Sequence, residues 1–192
     1  MKSGLKSIAL LVGLAAGTAA QADRLDERWQ TQREFYMELS DTACAGNEND
    51  HDFLFNAAVQ ERNPVAMNSL AWLIRPGTDC VGVAHDRETW LELLQTSAER
   101  GYPVGMSNWG HVLVTGDYGP RDLESGLLYL EEAMEQGNAK SAEILALIYG
   151  EGRHGVAQDL STARMFLQRA GMLGMDEGQL TLLADRLNRQ ED

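Results

Sequence analysis

Three segments of this chain repeat a single spacing, and this spacing constrains the fold more strongly than any other feature of the sequence. In each segment an Asp is followed fifteen residues later by a Gly, at 86–101, 122–137 and 159–174. The three Gly lie 36 and 37 residues apart. A period of this length is typical of solenoids, in which each unit buries its apolar face against the next unit.

The stretches between these marks have the periodicity of amphipathic helices. AMNSLAWLI (66–74), GMSNWGHVLV (105–114) and SAEILALIY (141–149) carry apolar or small residues at offsets 0, 4, 5 and 8, which share one helix face. A second helix is predicted from each Asp to each Gly, because Asp is a favoured N-cap and Gly fits the left-handed position after the last turn. Each unit is therefore predicted to contain two helices joined by a Gly-rich loop.

The register extends beyond the three units on both sides. QERNPVAMNSLA (60–71) repeats the pattern of the later units, with Arg62 in the place of the turn Gly. FLFNAAVQER (53–62) is predicted to form an incomplete earlier second helix with Asp52 as its N-cap. At the other end, EGQLTLLADRLNRQ (177–190) is predicted to form a terminal helix, whose polar end suits a cap of the solenoid.

The third unit, LALIYGEGRHGVAQDLSTARMFLQRAGMLG (145–174), resembles a Sel1-like repeat. The residues that match the family pattern in this unit are Leu145, Ala146, Tyr149, Gly152, Gly155, Val156, Asp159, Ala163, Ala170 and Gly174. The second unit departs from the pattern at Pro120, where the family has Val. The first unit has Trp90 where the family has Ala, so the packing there must differ. The resemblance implies an all-α fold, a right-handed α-solenoid of TPR-like helix–turn–helix repeats.

The same resemblance implies a non-enzymatic function, because Sel1-like repeats mostly serve as protein–protein interaction scaffolds or assembly factors. The implied partner is another protein or peptide of the cell envelope. One alternative is a flagellar-motor accessory protein, since sodium-driven motors use a periplasmic Sel1-like protein with Cys residues near its first repeat. The other is a β-lactam-binding or β-lactam-hydrolysing Sel1-like enzyme, although S-x-x-K occurs only at 3–6, before the repeats, and the Cys spacing departs from that pattern.

Residues 1–22 have the three parts of a secretory signal peptide. Lys2 and Lys6 precede the apolar run IALLVGLAAGTAA, and Ala20-Gln21-Ala22 forms a cleavage site. We therefore expect export, to the periplasm, and no membrane insertion. Removing this segment, which has two Lys and no acid, would change the net charge from −13 to −15. Such an acidic surface argues against nucleic-acid partners and is compatible with basic protein partners.

The predicted organisation has four parts. A signal peptide (1–22) is followed by a helical N-terminal extension with a degenerate half repeat (23–61). About three Sel1-like repeats (62–178) then precede a C-terminal capping helix (179–192). The oligomeric state is left open.

The stretch GEGRHG (150–155) matches G-x-G-x-x-G, the loop that binds a dinucleotide after a β-strand. The preceding segment SAEILALIY, however, carries the helical stripe of the two other units. The loops at 77–86 and 116–122 contain Gly without this pattern. The Gly residues are thus predicted to shape a turn, and no cofactor is predicted.

No catalytic or metal site is predicted either. The sequence has no G-x-S-x-G, H-E-x-x-H or C-x-x-C, and three of its four His are expected in loops or loop edges of different units. The run Asn47–Asp52 is rich in oxygen ligands, as a calcium site would be. It lacks the Gly and Glu of the twelve-residue calcium loop, and the N-cap role of Asp52 explains it more simply.

The two Cys lie 36 residues apart, which is one repeat length. Cys44 and Cys80 would then occupy equivalent loops of stacked units, which are neighbours in a solenoid. An exported protein meets an oxidising environment. We therefore predict a Cys44–Cys80 disulfide that ties the N-terminal extension to the first repeat.

A partner is expected on the concave face, which the first helices line. The candidate residues lie outside the core stripe of these helices and are Asn68, Trp72, Asn108, His111 and Glu143. For Trp72 two interpretations remain open. Its indole either contacts a partner or packs against Trp90 or the N-terminal helix.

Overall fold

A computed structural model describes residues 26–189, and within this range the chain is helical with no strand. The predicted signal peptide (1–22) and residues 190–192 lie outside the described residues. The helices of the described range are α1 (Glu27–Cys44), α2 (Glu48–Phe55), α3 (Pro64–Ile74), α4 (Arg87–Glu99), α5 (Pro103–Thr115), α6 (Leu123–Glu135), α7 (Ala139–Glu151), α8 (Leu160–Met172) and α9 (Glu177–Asn188). A π-helical turn, Asn56–Gln60, continues α2.

The helices stack as an all-α solenoid, which confirms the predicted fold class. α3 packs on α4, α5 on α6 and α7 on α8, so each predicted unit forms one helix pair. The first helices α1, α3, α5 and α7 also contact one another in that order, and α9 contacts both α7 and α8. The first helices therefore form a continuous layer, which we call the inner layer. Apolar side chains of both layers fill the core along the whole stack.

The repeated Asp and Gly residues perform the predicted structural roles. Asp86, Asp122 and Asp159 are the N-caps of α4, α6 and α8, and each carboxylate accepts hydrogen bonds from backbone N–H groups of the first turn. The Gly residues after these helices, at 101, 137 and 174, have φ angles of 78°, 91° and 91°. Such angles suit Gly, which has no Cβ to clash. Arg62 stands in the corresponding place before α3 and also has a positive φ, 55°.

The predicted start of the helix that precedes the first repeat, with Asp52 as its N-cap, was wrong. Helix α2 begins at Glu48, and its N-cap is Asn47, whose side-chain oxygen accepts from the backbone N–H groups of Asn49 and Asp50. Asp52 lies inside the helix and is exposed. Asn47 and Asp52 are both good caps, and the turn that ends α1 brings the chain to Asn47 first.

The disulfide between Cys44 and Cys80 is present, with the two Cα atoms 4.5 Å apart. Cys44 is the last residue of α1, not a loop residue as expected, and Cys80 lies in the loop between α3 and α4. The backbone N–H of Val81 also donates to the carbonyl of Cys44 at 3.0 Å. The bond therefore ties the N-terminal helices to the first repeat. In the described part of the chain, no helix is both long and apolar enough to cross a membrane.

The capping Asp residues make stability sensitive to acid. Hydrogen bonds from Ser161 and Thr162 lower the pKa of Asp159 to about 2. Its stabilising effect is complete above the unfolded pKa of about 4 and is lost as the pH falls through the folded value. We expect the melting temperature to drop between about pH 4 and pH 2. Asp159→Asn, which keeps a good cap without the charge, should drop less over the same range in thermal unfolding. Equal drops would contradict this assignment.

Candidate functional site

A groove of about 370 Å³ opens in the inner layer between the first and second repeats. We call it the first groove. Its walls come from α3, α4 and α5 and from the loop that follows α5. The residues that line it are Asn68, Trp72, Arg75, Pro76, Trp90, Leu94, Asn108, His111, Val112, Thr115, Asp117 and Tyr118. Four of the five predicted partner-binding residues thus lie in one groove, although no bound partner tests their role.

Two amides on neighbouring repeats meet across the first groove. Asn108 Nδ2 donates to Asn68 Oδ1 at 2.7 Å. An amide side chain has two donor hydrogens and an acceptor oxygen. The pair therefore leaves donor hydrogens on Asn68 and the acceptor oxygen of Asn108 available. One donor and one acceptor side by side match the N–H and C=O of an extended peptide.

Aromatic rings form much of the remaining wall. Trp72 keeps 40% of its surface exposed, so packing against its neighbours covers only part of the indole. Trp90 is 6% exposed, and its ring makes a T-shaped contact with the ring of Tyr118, with the centroids 6.3 Å apart. Exposed aromatic rings beside polar groups are typical of recognition surfaces.

Trp90 also explains why the groove is at this repeat. The corresponding positions, four residues after the capping Asp, hold Gly126 and Ala163 in the other two repeats. In the second repeat a Cβ on Gly126 would lie 2.9 Å from the carbonyl oxygen of Gly110, so α5 and α6 nearly touch. A Trp cannot fit in such a contact, and in the first repeat its side chain lines the groove instead.

Tyr118 occupies an unfavourable backbone conformation, with φ of 60°. In the third repeat His154, which like Tyr118 lies two residues after the Gly that ends the preceding helix, also has a positive φ, 55°. A non-Gly residue in this region carries a conformational cost. The carbonyl of Tyr118 accepts a hydrogen bond from Arg87 Nε, which helps to hold the loop, and the ring remains 61% exposed.

The environment of His111 favours its neutral form. The residue is exposed, but partial desolvation of its imidazole by the groove walls lowers its pKa, the nearby His154 and Lys140 lower it further, and Asp117 acts in the opposite direction. A neutral imidazole has one donor and one acceptor nitrogen. His111 can therefore add a hydrogen bond to a bound peptide without adding charge.

The fifth predicted residue, Glu143, lies in a second groove of about 750 Å³ further along the inner layer. This second groove is lined by residues of α1, α5, α7 and the start of α9, including Arg33, Lys140 and Asn108. Glu143 accepts from Lys140 Nζ at 2.8 Å. Asn108 lines both grooves, so the two adjoin at this residue.

The other candidate sites considered from the sequence have structural explanations. GEGRHG begins in the last turn of α7 rather than after a strand, and Gly152 ends that helix with φ of 63°. The carboxylate of Asp50 accepts from Thr42 and Asn47 at 2.6 Å each. His111 lies within helix α5, as predicted, and His85 and His154 lie in loops, whereas His51 lies within α2, contrary to its loop assignment. In the described residues, no group of three or more His, Cys, Asp or Glu side chains could hold a metal ion.

Comparisons with known proteins support the repeat interpretation. The Sel1 repeat family matches the chain at three consecutive places, 64–102, 103–138 and 139–175. No curated protein matches the chain. The structure is similar to the crystal structure of a Sel1 repeat protein from Oxalobacter formigenes, with a TM-score of 0.61 and 18% identity over 85% of this chain and 74% of the other.

A second similar structure is c5321, a protective antigen present in uropathogenic Escherichia coli strains that displays an SLR fold. The TM-score is 0.54 and the identity 22%, over 74% of this chain and 34% of that one. This chain therefore spans about a third of that antigen. At such identities the likeness concerns the fold alone.

Proposed function

The chain belongs to the Sel1 repeat family, and we propose that it is an exported, periplasmic, non-enzymatic scaffold that binds an extended segment of another protein. Sel1 repeats typically serve as protein-interaction scaffolds. The observation that carries the proposal is the first groove, where the Asn68–Asn108 pair offers a donor and an acceptor beside the exposed Trp72. The Cys44–Cys80 disulfide is consistent with an oxidising compartment.

Removing two polar side chains of the groove should weaken partner capture. Asn108→Ala combined with His111→Ala is expected to reduce affinity about tenfold, because each removes a hydrogen-bonding group at the groove. The melting temperature should not change, since both side chains are exposed. The measurement is a pull-down from envelope extract with tagged protein, followed by titration of the captured partner.

A matched control removes the same two chemical groups elsewhere. Gln95→Ala with His85→Ala deletes an exposed amide and an exposed imidazole that do not line the first groove. This pair should retain partner binding. Equal loss in both double variants, or a loss of stability in the Asn108/His111 variant, would contradict the proposed binding site.

A narrower form of the proposal is a flagellar-motor accessory protein. The observation that favours it is the disulfide that links the segment before the first repeat to that repeat. Comparing the swimming of a deletion strain with that of a complemented strain separates this function from a general envelope scaffold. Normal swimming of the deletion strain would exclude it.

A further inference from the structure

The first groove combines aromatic faces with one carboxylate. Trp72, Trp90 and Tyr118 supply rings, and Asp117 precedes Tyr118 in the loop after α5. The face of an aromatic ring attracts a cation, and a guanidinium also stacks flat on it while pairing with a carboxylate. Building on the proposed function, we propose that this groove receives an arginine side chain of the bound segment.

The net charge of the chain favours a basic occupant of the groove. Its charged lining residues are Arg75 and Asp117, one of each sign, and the lowered pKa of His111 favours a neutral imidazole. Arg75 caps the end of α3, whereas Asp117 lies in the loop after α5, so the two charges belong to different walls. The whole chain carries a net charge of −13. A basic segment is therefore attracted by the protein as a whole and by Asp117 within the groove.

Tyr118 lies in a left-handed backbone conformation, with φ of 60°. Two residues after the Gly that ends the preceding helix, the third repeat has His154, with φ of 55°, so a non-Gly residue stands at this place in both repeats. Tyr118 is 61% exposed. Its ring packs edge to face with the ring of Trp90 and completes an aromatic wall that is open to a bound side chain.

The Asn68–Asn108 pair can bind the backbone of the segment that carries the arginine and so position it over the groove. Its free donor and acceptor fit one peptide group of an extended chain. Successive side chains of such a chain point to opposite sides. A residue next to the bound peptide group can therefore direct its side chain into the aromatic part of the groove.

Titration of the full chain with a blocked tripeptide, acetyl-Ala-Arg-Ala-amide, tests this proposal. The four Trp indoles, observed by NMR, report the site. Trp72 and Trp90 line the groove, and Trp29, which contacts Tyr102, serves with the buried Trp109 as an internal control. We expect the Trp72 and Trp90 signals to shift with the arginine peptide. The citrulline analogue, which has the same shape without the charge, should bind about fivefold more weakly.

Two variants and one control sharpen the test. Asp117→Asn should remove the preference for arginine over citrulline, whereas Asp79→Asn, which removes one carboxylate from the loop of the first repeat, should leave it unchanged. Tyr118→Gly should weaken arginine binding without lowering the melting temperature, because Gly suits the backbone at this position.

Three results would overturn the arginine proposal: no shift of Trp72 and Trp90, equal binding of the citrulline peptide, or tighter binding of acetyl-Ala-Phe-Ala-amide. If one of these occurs while the Asn108/His111 variant still loses its captured partner, the groove binds a segment of different chemistry. The proposed function then stands without the arginine.

Discussion

Replacing Cys44 and Cys80 together by Ser is expected to lower the free energy of unfolding by about 3–4 kcal/mol. The bond joins residues 36 apart, and closing a loop of this length restricts the unfolded chain by that amount. For a chain of this size the melting temperature should fall by roughly 10 °C. Thermal unfolding followed by circular dichroism measures the effect.

Removing the disulfide should destabilise the N-terminal helices more than the rest of the solenoid. In a solenoid each unit contacts mainly its neighbours, and α1 packs chiefly on α3 of the first repeat. Without the bond, amide hydrogen exchange should increase in α1 and α2 and stay unchanged in α7 and α8. Wild-type protein treated with a reductant is the control, and its melting temperature should equal that of the double variant. If the variant melts at the wild-type temperature, the disulfide does not stabilise the fold.

The regular part of this structure follows from local rules that the sequence displays. A capping Asp and a turn Gly at fixed spacing determine where each second helix begins and ends, and small residues mark the stripe that faces the neighbouring helix. These signals depend on hydrogen bonds between residues close in sequence, such as the one that Asp86 accepts from the backbone N–H of Thr89. They could therefore be predicted without knowledge of the tertiary contacts.

The departures from regularity were harder to predict. Asn47 and Asp52 are both suitable N-caps, and only the turn after α1 decides between them. Glu143 occupies the same position in its helix as Asn68, yet it lies in the second groove, which adjoins the first groove at Asn108. Which groove a residue lines could not be predicted from the sequence, since it depends on how successive helix pairs are rotated.

Tyr118 could not be identified from the Gly and Asp residues of the loops. Its backbone angle is shared with His154 of the third repeat, which also lies two residues after the Gly that ends a helix. What distinguishes Tyr118 is its ring, which packs with that of Trp90. Trp90, the exception to the repeat pattern, and Tyr118 thus lie together in the groove.

Gly126 tests the opposite case, in which a repeat depends on the absence of a side chain. A Cβ at this position would lie 2.8 Å from the backbone nitrogen of Val114 and 2.9 Å from the carbonyl oxygen of Gly110. Backbone atoms of a helix cannot move aside singly, so α5 and α6 must separate. Gly126→Val should therefore destabilise the protein by about 2–3 kcal/mol, measured by chemical denaturation.

A matched substitution separates crowding from helix propensity. Gly178 lies in the first turn of α9, where a Cβ would meet only the Asp176 carboxylate, at 3.2 Å. Gly178→Ala should leave stability unchanged or raise it by up to about 1 kcal/mol, because Ala is the better helix former. If Gly126→Val were as well tolerated as Gly178→Ala, α5 and α6 would not be in close contact. The bulk of Trp90 could then no longer explain why the groove forms at the first repeat.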